Sequence, residues 1–158
     1  WGEAVQKARK RLPEIKFSVE VPAELLMVPM DPILIEQVLS NLIENAVIHG
    51  KTTTAIHLRA EKTEDNFAAF SVRDNGQGIS PALLPHLFDY SIRHASPPTG
   101  DGKRNMGLGL SVCSAVVKAH GGRLTAHNHP DGAEFIFCLP MPPADPAIST
   151  DLSEEETL

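Results

Sequence analysis

Apolar and polar residues follow one another in patterns that predict a mixed α/β domain. From Pro32 to His49 apolar residues recur every three or four positions, which predicts a long amphipathic helix. Asp31 followed by Pro32 is typical of a helix start, and Gly50 of a helix end. Apolar residues alternate with polar ones, or form short runs, in five other segments. These predict strands at residues 15–21, 53–60, 67–73, 123–127 and 133–139.

The remaining segments are predicted to form helices, a loop and a tail. Three further helices are predicted, at residues 1–12, 80–88 and 107–120. Residues 89–106 are polar, contain Pro and Gly, and show no periodicity, so we expect a long loop that is functional or disordered. Residues 1–140 are expected to form one domain. Residues 141–158 are Pro-rich and then acidic, and have little to bury, so we expect a disordered tail.

The charge is unevenly distributed. The formal net charge of the 158 residues is −6, but five acidic residues and no Lys or Arg lie after Pro140, which leaves −1 for residues 1–139. A nearly neutral body lacks the basic face that a general nucleic-acid binder needs, so we expect no nucleic-acid partner.

Cysteine content and hydropathy indicate the cellular compartment of the chain and whether it contains a membrane span. The two cysteines, Cys113 and Cys138, form no closely spaced pair, which argues against a metal knuckle or a disulfide framework and favours a reducing compartment. No apolar run is long enough to span a bilayer, and no signal peptide is visible. The chain begins at Trp1, so we expect a part of a longer protein, whose other parts could include membrane spans.

Two asparagines share one face of the predicted long helix. Asn41 and Asn45 are four residues apart, within an otherwise apolar stripe. Their amide oxygens could ligate a hard cation such as Mg²⁺. A satisfied amide pair in the core, or an exposed helix face, is equally compatible with the spacing.

A second motif, DNGQGI, follows the third predicted strand. Ionised Asp74 only accepts hydrogen bonds, which suits a donor such as the adenine amino group. Gly76 and Gly78 would let a ligand approach the backbone. Asp-Asn-Gly is also an ordinary turn sequence, which is the simpler reading of the motif alone.

A third motif, GLGL, opens the helix predicted from Gly107, and basic residues precede it. Free N–H groups at a helix start favour phosphate, although a glycine there is otherwise a plain cap. Arg93, His94, Lys103 and Arg104 lie in the loop at 89–106 and could neutralise a triphosphate. The alternative is an ordinary solvated loop.

The order of these motifs resembles the catalytic ATP-binding domain of sensor histidine kinases, in the wider group that includes DNA gyrase and MutL. The resemblance covers about residues 13–140: NLIENA resembles the N box, DNGQGI the first glycine box, LFDYSIR the F box, and GLGLSVCSAVVKAHGG the second glycine box with its helix. The segments at residues 1–12 and 21–39 look most like the potassium-responsive KdpD type.

The resemblance implies the Bergerat fold, an α/β (α+β) two-layer sandwich in which a mixed sheet carries helices on one face. ATP and Mg²⁺ would bind under a lid formed by residues 89–106. By resemblance, Asn45 would bind Mg²⁺, Asn41 would act beside it at the phosphates, and Asp74 would hold the adenine amino group. The remaining nucleotide contacts implied by the motifs are Gly76, Gly78, Ile79, Arg93, Lys103, Arg104, Gly107, Leu108, Gly109 and Leu110.

The chain departs from the family pattern at three positions. Ile48 stands where these kinases often have Lys, which removes an expected phosphate contact that Lys103, Arg104 or His49 could replace. Asn105 replaces a glycine before the last helix, and Ser91 replaces the second F-box aromatic.

The related ATPases carry Glu at the position of Asn41, and an amide cannot take a proton from water usefully. We therefore expect phosphoryl transfer rather than hydrolysis. None of the seven histidines lies in a His-Glu-x-x-Thr context, so the acceptor would lie on a dimerisation and phosphotransfer domain outside this chain. The chain alone is not expected to autophosphorylate.

The expected setting is two-component signalling. A response regulator would act downstream, and the domain would be the cytoplasmic part of a membrane-bound sensor, with no membrane contact of its own. One alternative is an anti-sigma-factor-type serine kinase, which NAVIHG resembles, although those proteins carry Glu at the position of Asn41. Another is a nucleotide-binding domain without transfer activity.

Overall fold

The structure is a computed structural model that describes residues 2–23, 26–88 and 101–142; of residues 101–108 it describes the backbone alone. Predictions for residues 89–100, including the lid and Arg93, and for the tail at 143–158 lie outside the described residues. Three α-helices, five strands and one short 3₁₀ helix (Leu84–His86) make up this part of the chain. In chain order they are α1 (Gly2–Arg11), β1 (Lys16–Glu20), α2 (Pro32–Gly50), β2 (Ala55–Lys62), β3 (Phe67–Asp74), α3 (Asp101–Ala119), β4 (Arg123–His129) and β5 (Gly132–Pro140).

The strands form one mixed sheet in the order β1-β2-β3-β5-β4. β1 runs parallel to β2, with Phe17 opposite Ile56, and the other neighbours are antiparallel. The register places Ile56 opposite Asp74, so β3 ends where β2 begins. All five predicted strands and the two-layer α/β architecture are confirmed.

The core lies between the sheet and its helices. Alternate residues of β2, β3 and β5 face α2 and α3, and Phe70 stacks on Phe137 with ring centroids 5.0 Å apart. The largest fully buried side chains are Phe135, Phe137, Leu42, Ile43, Ile56, Leu58, Leu139, Val38, Val72, Val117 and Cys113. With few aromatics in the sequence, aliphatic side chains fill most of this volume.

The predicted start of α2 is confirmed. The Asp31 side chain accepts hydrogen bonds from the backbone N–H groups of Ile33 and Leu34, at 3.0 and 3.2 Å. These bonds satisfy two donors that have no partner within the helix. His120, just after α3, accepts a further bond from the Asp31 N–H at 3.0 Å and so ties α3 to the start of α2.

The helix predicted at residues 80–88 is wrong. This segment forms turns, such as that closed by the bond from Leu83 N to Ser80 O at 3.0 Å, and then the single 3₁₀ helix. Pro85 explains the difference, because proline within an α-helix lacks the N–H and its ring clashes with the carbonyl four residues earlier.

The boundary predicted between the loop and the third long helix is also wrong. α3 begins at Asp101 rather than Gly107, so residues 101–106 belong to a helix. This segment contains no proline and includes Lys, Arg and Met, which favour helix, but its polarity hid any apolar periodicity. Gly107 and Gly109 therefore lie inside α3, and the prediction that GLGL opens a helix with free N–H groups is not met.

Within the described ranges, no helix has both the length and the apolar character that crossing a bilayer requires.

Candidate functional site

A small pocket lies between the second half of α2 and the loop that follows β3. Four of the residues predicted from the motifs meet there: Asn45, Asp74, Gly78 and Ile79. The pocket is lined by Asn45, His49, Gly50, Asp74, Gly78, Ile79, Ala133 and Phe135. Two motifs separated by about thirty residues in sequence thus form one site.

Asn45 is a buried amide with an unpaired oxygen. Its relative exposure is 3%, because the helix face that carries it packs on the sheet. Its Oδ1 is the one buried side-chain nitrogen or oxygen without a hydrogen-bond partner among the described residues. Leaving such an atom unsatisfied costs about 1–3 kcal/mol. A hard cation ligated by this oxygen would offset that cost, which fits the metal-ligand role implied for Asn45.

Asp74 is the last residue of β3 and is 5% exposed. Its Oδ1 accepts hydrogen bonds from the Gly76 N–H at 2.8 Å and the Ala133 N–H at 3.3 Å. Burial raises the pKa of the carboxyl group above its usual value, and these two bonds partly oppose the shift. Since both bonds end on Oδ1, the second carboxylate oxygen can accept from a ligand donor.

Backbone contacts hold the end of α2 against the glycine loop. Gln77 N donates to Gly50 O at 3.0 Å, and a Cβ on Gly76 would lie only 2.6 Å from the Cα of Gly50. Thr53 Oγ1 donates to Ala46 O at 2.7 Å. These contacts fix Asn45 and Asp74 relative to each other. They also show why Gly76 is needed: it permits close backbone approach, whereas Gly78 adopts the left-handed conformation with a φ of +82°.

Asn41 lies one turn before Asn45 but faces α3. A Cβ on Gly109 would be 3.4 Å from the Asn41 Cγ, and the Asn41 amide donates to Cys113 Sγ at 3.7 Å. Burial raises the pKa of the Cys113 thiol to about 11, so the thiol is neutral at physiological pH. The structure therefore brings the N box and the second glycine box together, although Asn41 does not line the pocket.

The other predicted contacts are placed less directly. Leu110 is 5% exposed and packs in the core. The backbone of Lys103, Arg104, Gly107 and Leu108 is helical, and the side chains of Lys103, Arg104 and Leu108 lie outside the described part of the structure. The phosphate contacts expected of these residues stay predictions.

Some residues that hold the site without lining it were not predicted from the sequence. Asn75 Oδ1 accepts from the N–H groups of Thr54 and Ala55, at 2.9 and 3.0 Å, and so fixes the start of β2. Asn128 bonds both backbone polar groups of Ile79. Asn75 lies within DNGQGI, but the hydrogen-bond partners of Asn75 and Asn128 could not be found from sequence. These bonds join residues that are 20 or more positions apart.

A family model described as histidine kinase-, DNA gyrase B- and HSP90-like ATPase matches residues 30–143. The chain belongs to this family. The sensor protein KdpD of Clostridium acetobutylicum is 41% identical over 141 residues, which cover 88% of this chain and 15% of that protein. The chain therefore spans only a small part of the length of this relative.

Solved structures of histidine kinases have the same fold. The catalytic domain of histidine kinase ThkA matches with a TM-score of 0.73 at 28% identity, covering 90% of this chain and 92% of that one. Full-length ShkA in complex with AMPPNP matches with a TM-score of 0.71 at 26% identity, covering 89% of this chain and 29% of that one. The chain is an ATP-binding catalytic domain of the sensor histidine kinase type, as the motifs predicted.

Proposed function

We propose that this domain binds ATP with Mg²⁺ in the pocket between α2 and the glycine loop, and that it transfers the γ-phosphoryl group to a histidine on another domain of its parent protein. The observation that carries this proposal is the unpaired, buried Oδ1 of Asn45 in the same pocket as the Asp74 carboxylate. One group suits a cation and the other a hydrogen-bond donor, as a metal-bound adenine nucleotide requires.

Each wall of the pocket has its own role in this proposal. Asp74 would accept a hydrogen bond from the adenine amino group, while Gly78 and Ile79 would border the base. Asn45 would hold Mg²⁺, which when bound neutralises charge on the phosphates. Arg93, Lys103 and Arg104 would add positive charge near the phosphates.

Transfer to a histidine is favoured over hydrolysis by the chemistry of Asn41. Its amide donates to Cys113 Sγ and cannot accept a proton as a general base does. The sensor-kinase relatives reported above support the histidine as acceptor. The parent would then be a sensor with a dimerisation and phosphotransfer domain and a downstream response regulator. If it is membrane-bound, this domain would lie on the cytoplasmic side, where ATP is available.

The direct test supplies the acceptor domain of the parent in trans with γ-labelled ATP and Mg²⁺. We expect label that is acid-labile and base-stable on the acceptor, as for phosphohistidine, and none on this chain alone. Label on a serine of a partner would instead favour the anti-sigma-factor-type alternative. Binding without any transfer would favour the nucleotide-binding alternative.

The metal role of Asn45 has its own experiment. We expect Asn45→Ala to weaken ATP binding at least tenfold with Mg²⁺ present and much less in EDTA, because only the metal-dependent contact is lost. Ser40→Ala, on the same helix but away from the pocket, serves as the matched control. Equal losses with and without Mg²⁺ would contradict the ligand role.

A further inference from the structure

The end of the β4–β5 hairpin lies against the loop that borders the proposed base site. Asn128, near the end of β4, donates from Nδ2 to Ile79 O at 2.7 Å and accepts at Oδ1 from Ile79 N at 2.8 Å. The side-chain amide thus pairs with both backbone polar groups of one residue, as two directly opposed residues of antiparallel strands do. Both distances are those of good hydrogen bonds.

Contacts on either side of this pair show that the hairpin supports the whole loop. A Cβ on Gly78 would lie 3.1 Å from the Asn128 Oδ1, so the left-handed residue packs directly on the amide. At the other end of the loop, Ala133 N donates to Asp74 Oδ1 at 3.3 Å. Gly132 packs so closely on the Asp74 carbonyl that a side chain there would overlap it.

We propose that Asn128 is a positioning residue that sets the base side of the nucleotide site. It does not line the pocket itself; it fixes Gly78 and Ile79, which do. The side chains of Asn75 and Gln77 are exposed, so hydrogen bonds and the close backbone contact at Gly76, rather than buried side chains, hold the first part of the loop. This inference rests on the proposed function, because it assumes that the pocket receives adenine.

The chemistry of the contact requires an amide. The backbone of Ile79 presents one donor and one acceptor, and among side chains of this size only Asn carries the complementary acceptor and donor on separate atoms. A carboxylate could accept from Ile79 N but would face Ile79 O without a donor. Alanine would leave both backbone groups to water and release the loop.

The test measures the affinities for ATP–Mg²⁺ and GTP–Mg²⁺ of Asn128→Ala and Asn128→Asp, the second of which preserves side-chain volume. We expect each substitution to weaken ATP binding about tenfold and GTP binding by less, so that the ratio of ATP affinity to GTP affinity decreases. The dependence on Mg²⁺ should remain, since Asn45 lies on the opposite wall. His127→Ala, at the neighbouring exposed position of β4, is the matched control and should bind both nucleotides like the unsubstituted protein.

The outcomes separate the two proposals. If the unsubstituted protein binds no ATP, the proposed function fails. If it binds ATP and both Asn128 variants keep its affinity and its ATP-to-GTP preference, the positioning role is overturned. Equal losses for ATP and GTP would also overturn it, because they would show a general structural role. Should Asn128→Ala fail to fold, the isosteric Asn128→Asp decides alone.

Discussion

At the scale of single residues, burial sets the protonation behaviour of Asp74. Removal from water disfavours the charged form, and the pKa of Asp74 is raised above its ordinary value of 3.8. Only the ionised form is a pure acceptor. The proposed contact with adenine is therefore sensitive to pH in a range where an exposed aspartate would not be.

We predict that ATP affinity falls on acidification at a pH above that at which an ordinary aspartate titrates. Protonation of Asp74 replaces an acceptor with a donor, which opposes the adenine amino group. Titrations with ATP from pH 7 to pH 4 measure this dependence. Asp74→Asn is the control, because it retains only the pH dependence of the nucleotide and of other groups. Parallel curves for the two proteins would contradict the role of Asp74.

A second prediction concerns the stability of the same variant. A carboxyl whose pKa is raised by folding destabilises the native state above that pKa, and the penalty disappears as the pH falls through it. Asp74→Asn removes the charge and keeps an oxygen for the Gly76 and Ala133 N–H groups. We expect the free energy of unfolding at pH 7 to be unchanged or higher, while ATP affinity falls at least tenfold. A loss of stability of more than about 1 kcal/mol in chemical unfolding would show that the carboxylate supports the fold.

The motifs led to residues that the folded chain brings together, while the roles of these residues at a nucleotide stay proposals. Asn45 and Asp74 were identified from their motifs, and the structure places both in one pocket. Their supports were not identified, because Asn128 and Thr53 act through contacts that only the folded chain creates. The roles assigned to Arg93, Lys103 and Arg104 remain predictions.

At the scale of secondary-structure elements, the site depends on how the end of α2 meets the loop after β3. A Cβ on Gly76 would lie 2.6 Å from the Cα of Gly50, and a Cβ on Gly50 would overlap the Thr53 side chain, so neither position accommodates a side chain without movement. Periodicity predicted both elements correctly. The same reasoning failed at the start of α3, where polar residues continue the helix without an apolar repeat.

We predict that Gly76→Ala lowers both stability and nucleotide affinity. The new Cβ would lie 2.6 Å from the Cα and 2.7 Å from the O of Gly50, so the loop must move away from α2. The expected loss is about 1–3 kcal/mol in the free energy of unfolding, with weaker ATP binding. Gly2→Ala is the control, since nothing lies within 4 Å of its new Cβ. If Gly76→Ala behaves like Gly2→Ala in both assays, the contact does not constrain the site.

The N-cap of α2 gives a prediction that separates stability from binding. Asp31→Ala removes the acceptor for the Ile33 and Leu34 N–H groups and should cost about 1 kcal/mol. ATP affinity should stay within about twofold, because a helical rise of about 1.5 Å per residue places Asn45 roughly 20 Å from the cap. Thermal unfolding and ATP titration of one sample measure both quantities. A large loss of affinity would mean that the cap acts on the site at a distance.

At the scale of the whole molecule, the acidic net charge does not describe the site. The sequence carries −6, but residues 1–139 carry only −1. A domain proposed to hold a polyanion is therefore nearly neutral over residues 1–139, and its excess acidic residues lie after Pro140 in the sequence. The composition indicates an acidic protein, which conflicts with the proposed binding of a polyanion. The conflict disappears once the charges are located along the chain.

The overall architecture was predictable because the strand periodicity and the order of the motifs agree. Turn-forming Pro130 and Asp131 fall between β4 and β5, and apolar alternation marks both strands. Strand order could not be read from periodicity: β5 inserts between β3 and β4, which places Ala133 beside Asp74. The resemblance to histidine kinases implied this fold, and the comparisons confirm it.

In the proposed function, ATP–Mg²⁺ binds between α2 and the loop from Asp74 to Ile79. Amide chemical shifts recorded by NMR during a titration with ATP and Mg²⁺ test it most directly. We predict that the largest changes among the described residues occur at Asn45, Gly50 and the loop from Asp74 to Ile79, and that those of α1 stay small. The absence of any change, or changes concentrated on α1 and β1, would contradict it.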